Sequence, residues 1–339
     1  MSTAAPSFEH LFRLSDRIGL FEHARITEPR RELGYCVDDV ARGLLVIVRE
    51  PDLSPQLTDL AGIYFRFICD AQIADGRFHN RRGKAPLWTD DATVEDCWGR
   101  ALWALGTVAA RWPAMSAVAL ARFELGATLR SPWSRSMSFA AMGAAEVLRL
   151  DPRHPGARSL LRDSATLIGP VGTDPTWVWP EPRLRYANAV IPETLLAAGS
   201  LLDDPAATAA GLAMLGWLLD VETRDGHLSV TPVGGWTTAE ARPGFDQQPI
   251  EVAALADACA RALEITGEPR WIDALRHCDA WFEGDNDSAV ALHDSATGGG
   301  CDGLGFDSRN ENQGAESTLA VIATLQHTRS VNFGLEVRQ

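Results

Sequence analysis

The chain has 339 residues, which at roughly one domain per ~150 residues leaves room for two domains or for one large closed architecture with a sizeable core. Hydrophobic residues at 46% and charged residues at 22% are ordinary globular values and exclude a disordered or collagen-like chain. Thirty-one basic against 45 acidic residues leave a net charge of −14, a field that repels phosphate backbones and anionic bilayers, so nucleic acid and membrane are not expected partners.

The first ten residues carry neither a basic segment nor an apolar one, and no stretch of the sequence is apolar for the length of a bilayer, so the expected location is cytoplasmic. Residues 8–18 read as an amphipathic helix. A polar cluster followed by Ala, Gly and Leu at helical spacing then begins near Tyr35 (GYCVDDVARGLLVIV) and recurs near Thr93, Ser134, Tyr186, Gln247 and Asn310. These six segments lose their charge after the first turns, as helices buried on most sides do. Between them lie more polar helical stretches with one apolar stripe, at 53–71, 114–130, 155–168, 206–222 and 269–283. Pairing 8–18 with the last segment completes twelve helices, alternately inner and outer, and closes an (α/α)6 toroid. The repeats are 41 to 63 residues apart, too long and uneven for an open solenoid. Residues 1–328 are therefore expected to form a single all-α catalytic domain, with 329–339 as a tail of no strong pattern.

Asp75-Gly76 and Asp225-Gly226, each followed by a short β-prone stretch, predict tight turns just before inner helices. The longest connections, near 75–92, 170–187, 224–246 and 284–310, all lead into inner helices and so gather at one end of the ring, where function is usually placed. Acids fall at the same end, because the dipole and free N–H groups of a helix N-terminus favour carboxylates. They are Asp38 and Asp39, Glu95 and Asp96, Glu193, Asp246 and Glu251, and Glu311 and Glu316. Each taken alone reads equally well as a helix cap. Converging from several repeats, they would line one cavity in which one carboxyl is protonated and another ionised, the requirement of a general acid and base. Rings at the same positions (Tyr35, Trp88, Trp98, Trp177, Trp179, Tyr186, Trp236, Phe245) join amides (Asn188, Gln247, Gln248, Asn312, Gln313), arginines (Arg42, Arg100, Arg185) and His23 in a surface suited to sugars.

Other chemistries lack their signatures. There is no nucleophile elbow, P-loop or dinucleotide fingerprint, and Gly298-Gly299-Gly300-Cys301 reads as a tight loop near the cleft. Six scattered cysteines (Cys36, Cys69, Cys97, Cys259, Cys278, Cys301) show no paired spacing and are expected to be reduced. The eight histidines lack ligand spacing, so no metal and no cofactor is expected.

Several strings, Gly34-Tyr35-Cys36-Val37-Asp38-Asp39, Glu95-Asp96-Cys97-Trp98-Gly99-Arg100, Trp179-Pro180-Glu181, Phe245-Asp246-Gln247-Gln248-Pro249-Ile250-Glu251 and Asn310-Glu311-Asn312-Gln313-Gly314-Ala315-Glu316-Ser317, resemble a bacterial (α/α)6 family attached to, or encoded beside, glycosyltransferases and mannoside phosphorylases. Val40 departs from that pattern, in which Asn follows the Asp pair. More loosely, the early Asp-Asp, the late Glu and the string Trp281-Phe282-Glu283-Gly284-Asp285-Asn286 resemble six-hairpin glycosidases. That resemblance implies Asp38 or Asp39 as the base that activates water and Glu316, or secondarily Glu311, as the acid, with Glu95 and Asp96 competing for either role. Tyr35, Arg42, Trp98, Arg100, Trp179, Glu181, Asn188, Glu193, Asp246, Gln247, Gln248, Glu251, Glu311, Asn312, Gln313 and His23 are then expected to bind the carbohydrate substrate. The expectation is an inverting glycoside hydrolase acting on an oligosaccharide or glycoconjugate, a mannoside among the options. The alternatives are a sugar epimerase or isomerase, against which no inner-helix start carries a histidine, a non-catalytic glycan-binding partner of a glycosyltransferase, and, more weakly, a lyase.

Overall fold

The computed structural model describes residues 5–83, 87–172 and 174–336. Its helices are α1 (Glu9–Arg13), α2 (Val37–Arg49), α3 (Pro55–Ala71), α4 (Asp96–Arg111), α5 (Ser116–Gly126), α6 (Ser134–Leu150), α7 (Pro155–Ile168), α8 (Val190–Leu202), α9 (Pro205–Val221), α10 (Pro249–Thr266), α11 (Pro269–Phe282) and α12 (Ala315–Glu336). The even-numbered helices pack in succession, α2 on α4, α4 on α6, α6 on α8, α8 on α10 and α10 on α12, and α12 returns to α2. Each carries an outer partner, and the short α1 covers α12, so the ring closes on its first and last helices as an (α/α)6 toroid.

The outer helices start in the way their sequences dictate. Proline stands in the first turn of α3, α7, α9 and α11, where its missing N–H costs nothing. Ser54 Oγ accepts from Leu57 N at 3.2 Å, and Asp204 Oδ1 accepts from Ala206 N and Ala207 N. The inner helices α2, α4, α6, α8 and α10 have no side-chain cap from their own N-cap residues.

Small residues set how tightly the ring closes. A Cβ on Gly143 would lie 2.2 Å from Leu102 O, and one on Gly106 2.2 Å from Gly143 O, so α4 and α6 meet backbone to backbone. Leu45, Trp103, Phe139, Ile250 and Leu319 fill the axis and leave a cavity of only about 50 Å³. The axis of the toroid is a packed core, not a channel.

The loops carry five two-stranded antiparallel ribbons, including Tyr35–Cys36 with Arg81–Arg82, His293–Asp294 with Gly299–Gly300, and Gly303–Leu304 with Arg309–Asn310. Asp225 and Gly226, at φ 50° and 91°, form the expected tight turn between Thr223–Arg224 and His227–Leu228. Asp75-Gly76 also forms a tight turn, Gly76 N donating to Ile73 O at 3.0 Å, after which Phe78 bridges both Gln72 and Thr93. Several boundaries differ from the sequence expectation, and the helix expected over 8–18 is confined to Glu9–Arg13. Tyr35 and Asn310 lie in strands ahead of α2 and α12, because the polar clusters there pair with neighbouring loops before the helices begin. Residues 329–336, expected to be tail, continue α12, and both guanidinium nitrogens of Arg329 bond Glu50 at 3.0 Å. Residues 337–339 lie outside the described residues. All six cysteines are free, as expected.

Candidate active site

At the N-terminal end of the inner helices a polar cleft of about 360 Å³ opens between the first and sixth repeats. Its walls come from α2 (Asp38, Asp39, Arg42), α12 (Glu316, Ser317), the loop before α2 (Glu22, His23) and the loop before α12 (Asp302, Asn310). Tyr186 and Gln248 reach it from the fourth and fifth repeats.

Arg42 organises this cleft. Its Nη1 donates to Asp39 Oδ1 at 2.5 Å, and its Nη2 donates to Tyr186 Oη at 2.6 Å and lies 2.7 Å from Glu316 Oε2. One buried guanidinium thus ties the acids of repeats one and six together. Arg100, nearly buried with its guanidinium 3.8 Å from the ring centre of Phe139, also donates to Tyr186 Oη from beneath. Burial raises the Tyr186 pKa well above its ordinary range although both arginines pull it down, so the hydroxyl keeps its proton. Asp39 is 3% exposed, and burial pushes it up to about 7 against the pull of Arg42.

Asp38 is held differently. Asn80 Oδ1 caps α2 by accepting from Val37 N, while Asn80 Nδ2 donates to Asp38 Oδ2 at 2.9 Å. Asp38 Oδ1 has no hydrogen-bond partner, and the likewise unpartnered Arg100 Nε is 3.9 Å away. Both carboxylate oxygens of Asp38 are thus fixed, Oδ2 by Asn80 and the buried Oδ1 facing the Arg100 guanidinium. Asp302, anchored by Gly314 N at 2.8 Å, has its proton affinity raised by burial.

Glu95 and Asp96 line a separate side groove that Asp38 shares. Of the expected contacts, His23, Arg42 and Gln248 line the cleft, and Arg100 supports its floor. The others are placed elsewhere. Tyr35 is stacked on Phe21 with its hydroxyl on Asp16, Trp98 donates to Gly126 O, and Trp179 packs on Trp217. Glu181 pairs with Arg135, which also bonds Tyr186 O and Asn188 Oδ1. Glu251 accepts from Ala187 N and Asn188 N, so the pair fixes the turn that presents Tyr186. Glu193 pairs with Arg261 on the barrel axis. Gln247 bonds Asp287, Gln313 bonds Asp294, Glu311 bonds Arg309 and Asn312 bonds Ile26 N, while Asp246 is exposed outside the cleft. These side chains assemble the loops, because a long loop laid over the ring must satisfy its own polar backbone.

The reading from sequence passed over Glu22, Asn80, Arg81 and Asp302. Asp302 directly follows the Gly298–Cys301 loop, whose tightness was the signal available. Among the described residues one group offers metal-ligand types together, Glu22, Cys36 and Asp39, with donor atoms within 4.8 Å of one another. Two of the three are poorly suited: burial beside Asp38 and Asp39 keeps the Cys36 thiol protonated, and Asp39 is already bound to Arg42.

Burial pushes Asp39 and Glu193 up to about 7 and Glu251 up to about 8. Between the ordinary carboxylate range and those values the folded chain holds more protons than the unfolded one, so stability falls as pH rises through that window. The melting temperature is therefore expected to be higher near pH 5 than near pH 8, and Glu251→Gln to flatten the upper part of the slope. A profile that rises with pH across this range would contradict the burial argument.

No protein-family model matches the sequence, and no curated protein matches it. Solved structures share the fold. A sugar epimerase from a ruminal bacterium superposes with a TM-score of 0.72 at 12% identity, covering 95% of both chains. A D-mannose isomerase gives 0.71 at 10% identity, covering 96% of this chain and 95% of the other. An α-mannanase of Bacteroides thetaiotaomicron gives 0.62 at 9% identity, covering 91% and 89%. At such identities the likeness establishes the architecture.

Proposed function

We propose that the protein is a carbohydrate-active enzyme, a glycoside hydrolase that uses Asp38 as base and Glu316 as acid. The observation that carries this reading is the polar cleft lined together by Asp38, fixed by Asn80 through Oδ2, and by Glu316, held by the Arg42 guanidinium. Arg42 and Tyr186 supply fixed donors for sugar hydroxyls, and the structural neighbours named for epimerase, isomerase and mannanase activities support a saccharide substrate. In the proposed reaction Asp38 takes a proton from water as it attacks the anomeric carbon, and Glu316 protonates the departing oxygen, which inverts the anomeric centre. Asp302 is the second acid candidate, because it lines the same cleft and burial raises its proton affinity.

One observation favours a second reading, a sugar epimerase or isomerase. His23, half-exposed with Nε2 3.6 Å from Glu22 Oε1, lines the cleft from a loop, a position that inspection of the inner-helix starts could not reveal. An imidazole there could take the proton from the carbon beside a sugar carbonyl.

A single experiment separates the two readings. α- and β-linked manno-, gluco-, galacto- and arabino-oligosaccharides are incubated with the protein in D₂O and followed by proton NMR. The hydrolase reading expects release of a sugar with inverted anomeric signal, unaffected by His23→Gln and lost in Glu316→Gln or Asp302→Asn. Deuterium entering the carbon next to the anomeric centre without bond cleavage, and abolished by His23→Gln, would replace it with the epimerase reading.

A further inference from the structure

On the premise that the central cleft takes a saccharide, we propose that it continues past Asp38 into a second sugar-binding groove with Trp133 as its platform, so that the substrate is a neutral oligosaccharide spanning Asp38. The groove has a volume of about 300 Å³ and is lined by Asp38, Asn80, Glu95, Asp96, Trp133 and Ser136. Asp38 lines both this groove and the central cleft, so a ligand filling both crosses the proposed base.

Trp133 is the observation that points to a ligand. Trp98, Trp271 and Trp281 are fully buried and Trp179 nearly so, whereas Trp133 is 60% exposed, the only exposed tryptophan among the described residues. It stands immediately before α6, its backbone N–H donating to Ser131 Oγ at 3.2 Å, so its base is fixed while the indole stays uncovered. An indole face beside hydrogen-bonding groups matches a pyranose, which presents an apolar C–H face and a rim of hydroxyls.

The polar side chains of the groove are divided in a way that leaves acceptors free. Ser136 Oγ donates to Asp96 Oδ1 at 2.6 Å and Asn80 is spent on α2 and Asp38, while the exposed Glu95 remains to accept hydroxyl protons. Three carboxyl groups and no cation line the groove, which selects a neutral sugar over a uronic acid or a sulfated unit.

The test is a set of binding titrations on Asp38→Asn protein, which consumes no ligand, with and without Trp133→Ala or Trp133→Phe. The probes are neutral manno-, gluco- and galacto-oligosaccharides of about one to four units and an oligogalacturonate, and in the neutral series that binds Trp133 is expected to add about three- to tenfold in affinity once the chain is long enough to enter the groove, with no such gain for the oligogalacturonate. Trp133→Ala should remove that increment and leave the single sugar unit unaffected, and Trp133→Phe should keep most of it. If chain length raises affinity equally in the alanine variant, the groove is not a subsite although the central cleft still binds sugar. Preferred binding of the oligogalacturonate overturns the neutral class. Binding of no saccharide at any length, with melting temperatures unchanged, removes the premise and the proposal together.

Discussion

Asp38→Asn is expected to lower turnover by about 10³-fold with saccharide affinity and melting temperature little changed, the size of effect that follows loss of a general base. Asparagine has the shape of aspartate, and its amide oxygen can still accept from Asn80 Nδ2, so the first turn of α2 and its cap survive. What is lost is the charge on a carboxylate whose Oδ1 is buried without a partner, a group that is unfavourable in the resting protein. The variant should therefore lose little stability, since the charge pair given up is the long contact to Arg100 Nε at 3.9 Å. Product formation by NMR and binding by titration check the two halves, and turnover within about threefold of the parent would show that Asp38 is not the base.

Arg42→Met is expected to abolish turnover and also to destabilise the fold by about 3 kcal/mol, because truncating one partner of a buried ion pair strands the other. Asp39 is 3% exposed and has Arg42 as its close cation, while Glu316 and Tyr186 share the same guanidinium. Left alone, Asp39 must take up a proton, which its pKa of about 7 shows to be already near at hand. Adding Asp39→Asn to Arg42→Met should recover most of the stability and none of the turnover, because the stranded charge is gone while Glu316 and Tyr186 still lack their anchor. Urea denaturation of the three variants measures the cycle. Equal stability of the parent and Arg42→Met would mean that the cleft is held by its loops rather than by this ion pair.

The helical layout was legible because it rests on local periodicity. Alternating buried and amphipathic segments, proline in the first turn of the outer helices and acids in the first turns of inner ones each come from a few adjacent residues. The closure of α1 onto α12 was legible too, since an odd outer helix had one place left to pack.

The meeting of Asp38 and Asp39 with Glu316 was implied by the resemblance to six-hairpin glycosidases, but which of the other acids join them was not legible, because the repeats are equivalent in sequence pattern and unequal in space. Asp38 and Glu251 both stand in the first turn of an inner helix, yet Glu251 lies under the turn carrying Tyr186 and is consumed by two backbone N–H groups. Glu193, also in a first turn, is turned away from the cleft and pairs with Arg261, which reaches it from the last turns of α10. Tyr35 and Tyr186 precede inner helices in the same way, but Phe21 and Asp16 cover the first while Arg42 and Arg100 hold the second. The sequence by itself determined twelve helices, their two-layer closure and the end of the ring where polar groups gather, since each follows from residues within a few turns of one another. Only the tertiary structure decided that Glu193, Asp246, Glu251 and Glu311 stay out of the cleft while Glu95 and Asp96 line the next groove, because the partners that claim each side chain are brought to it by packing between distant segments.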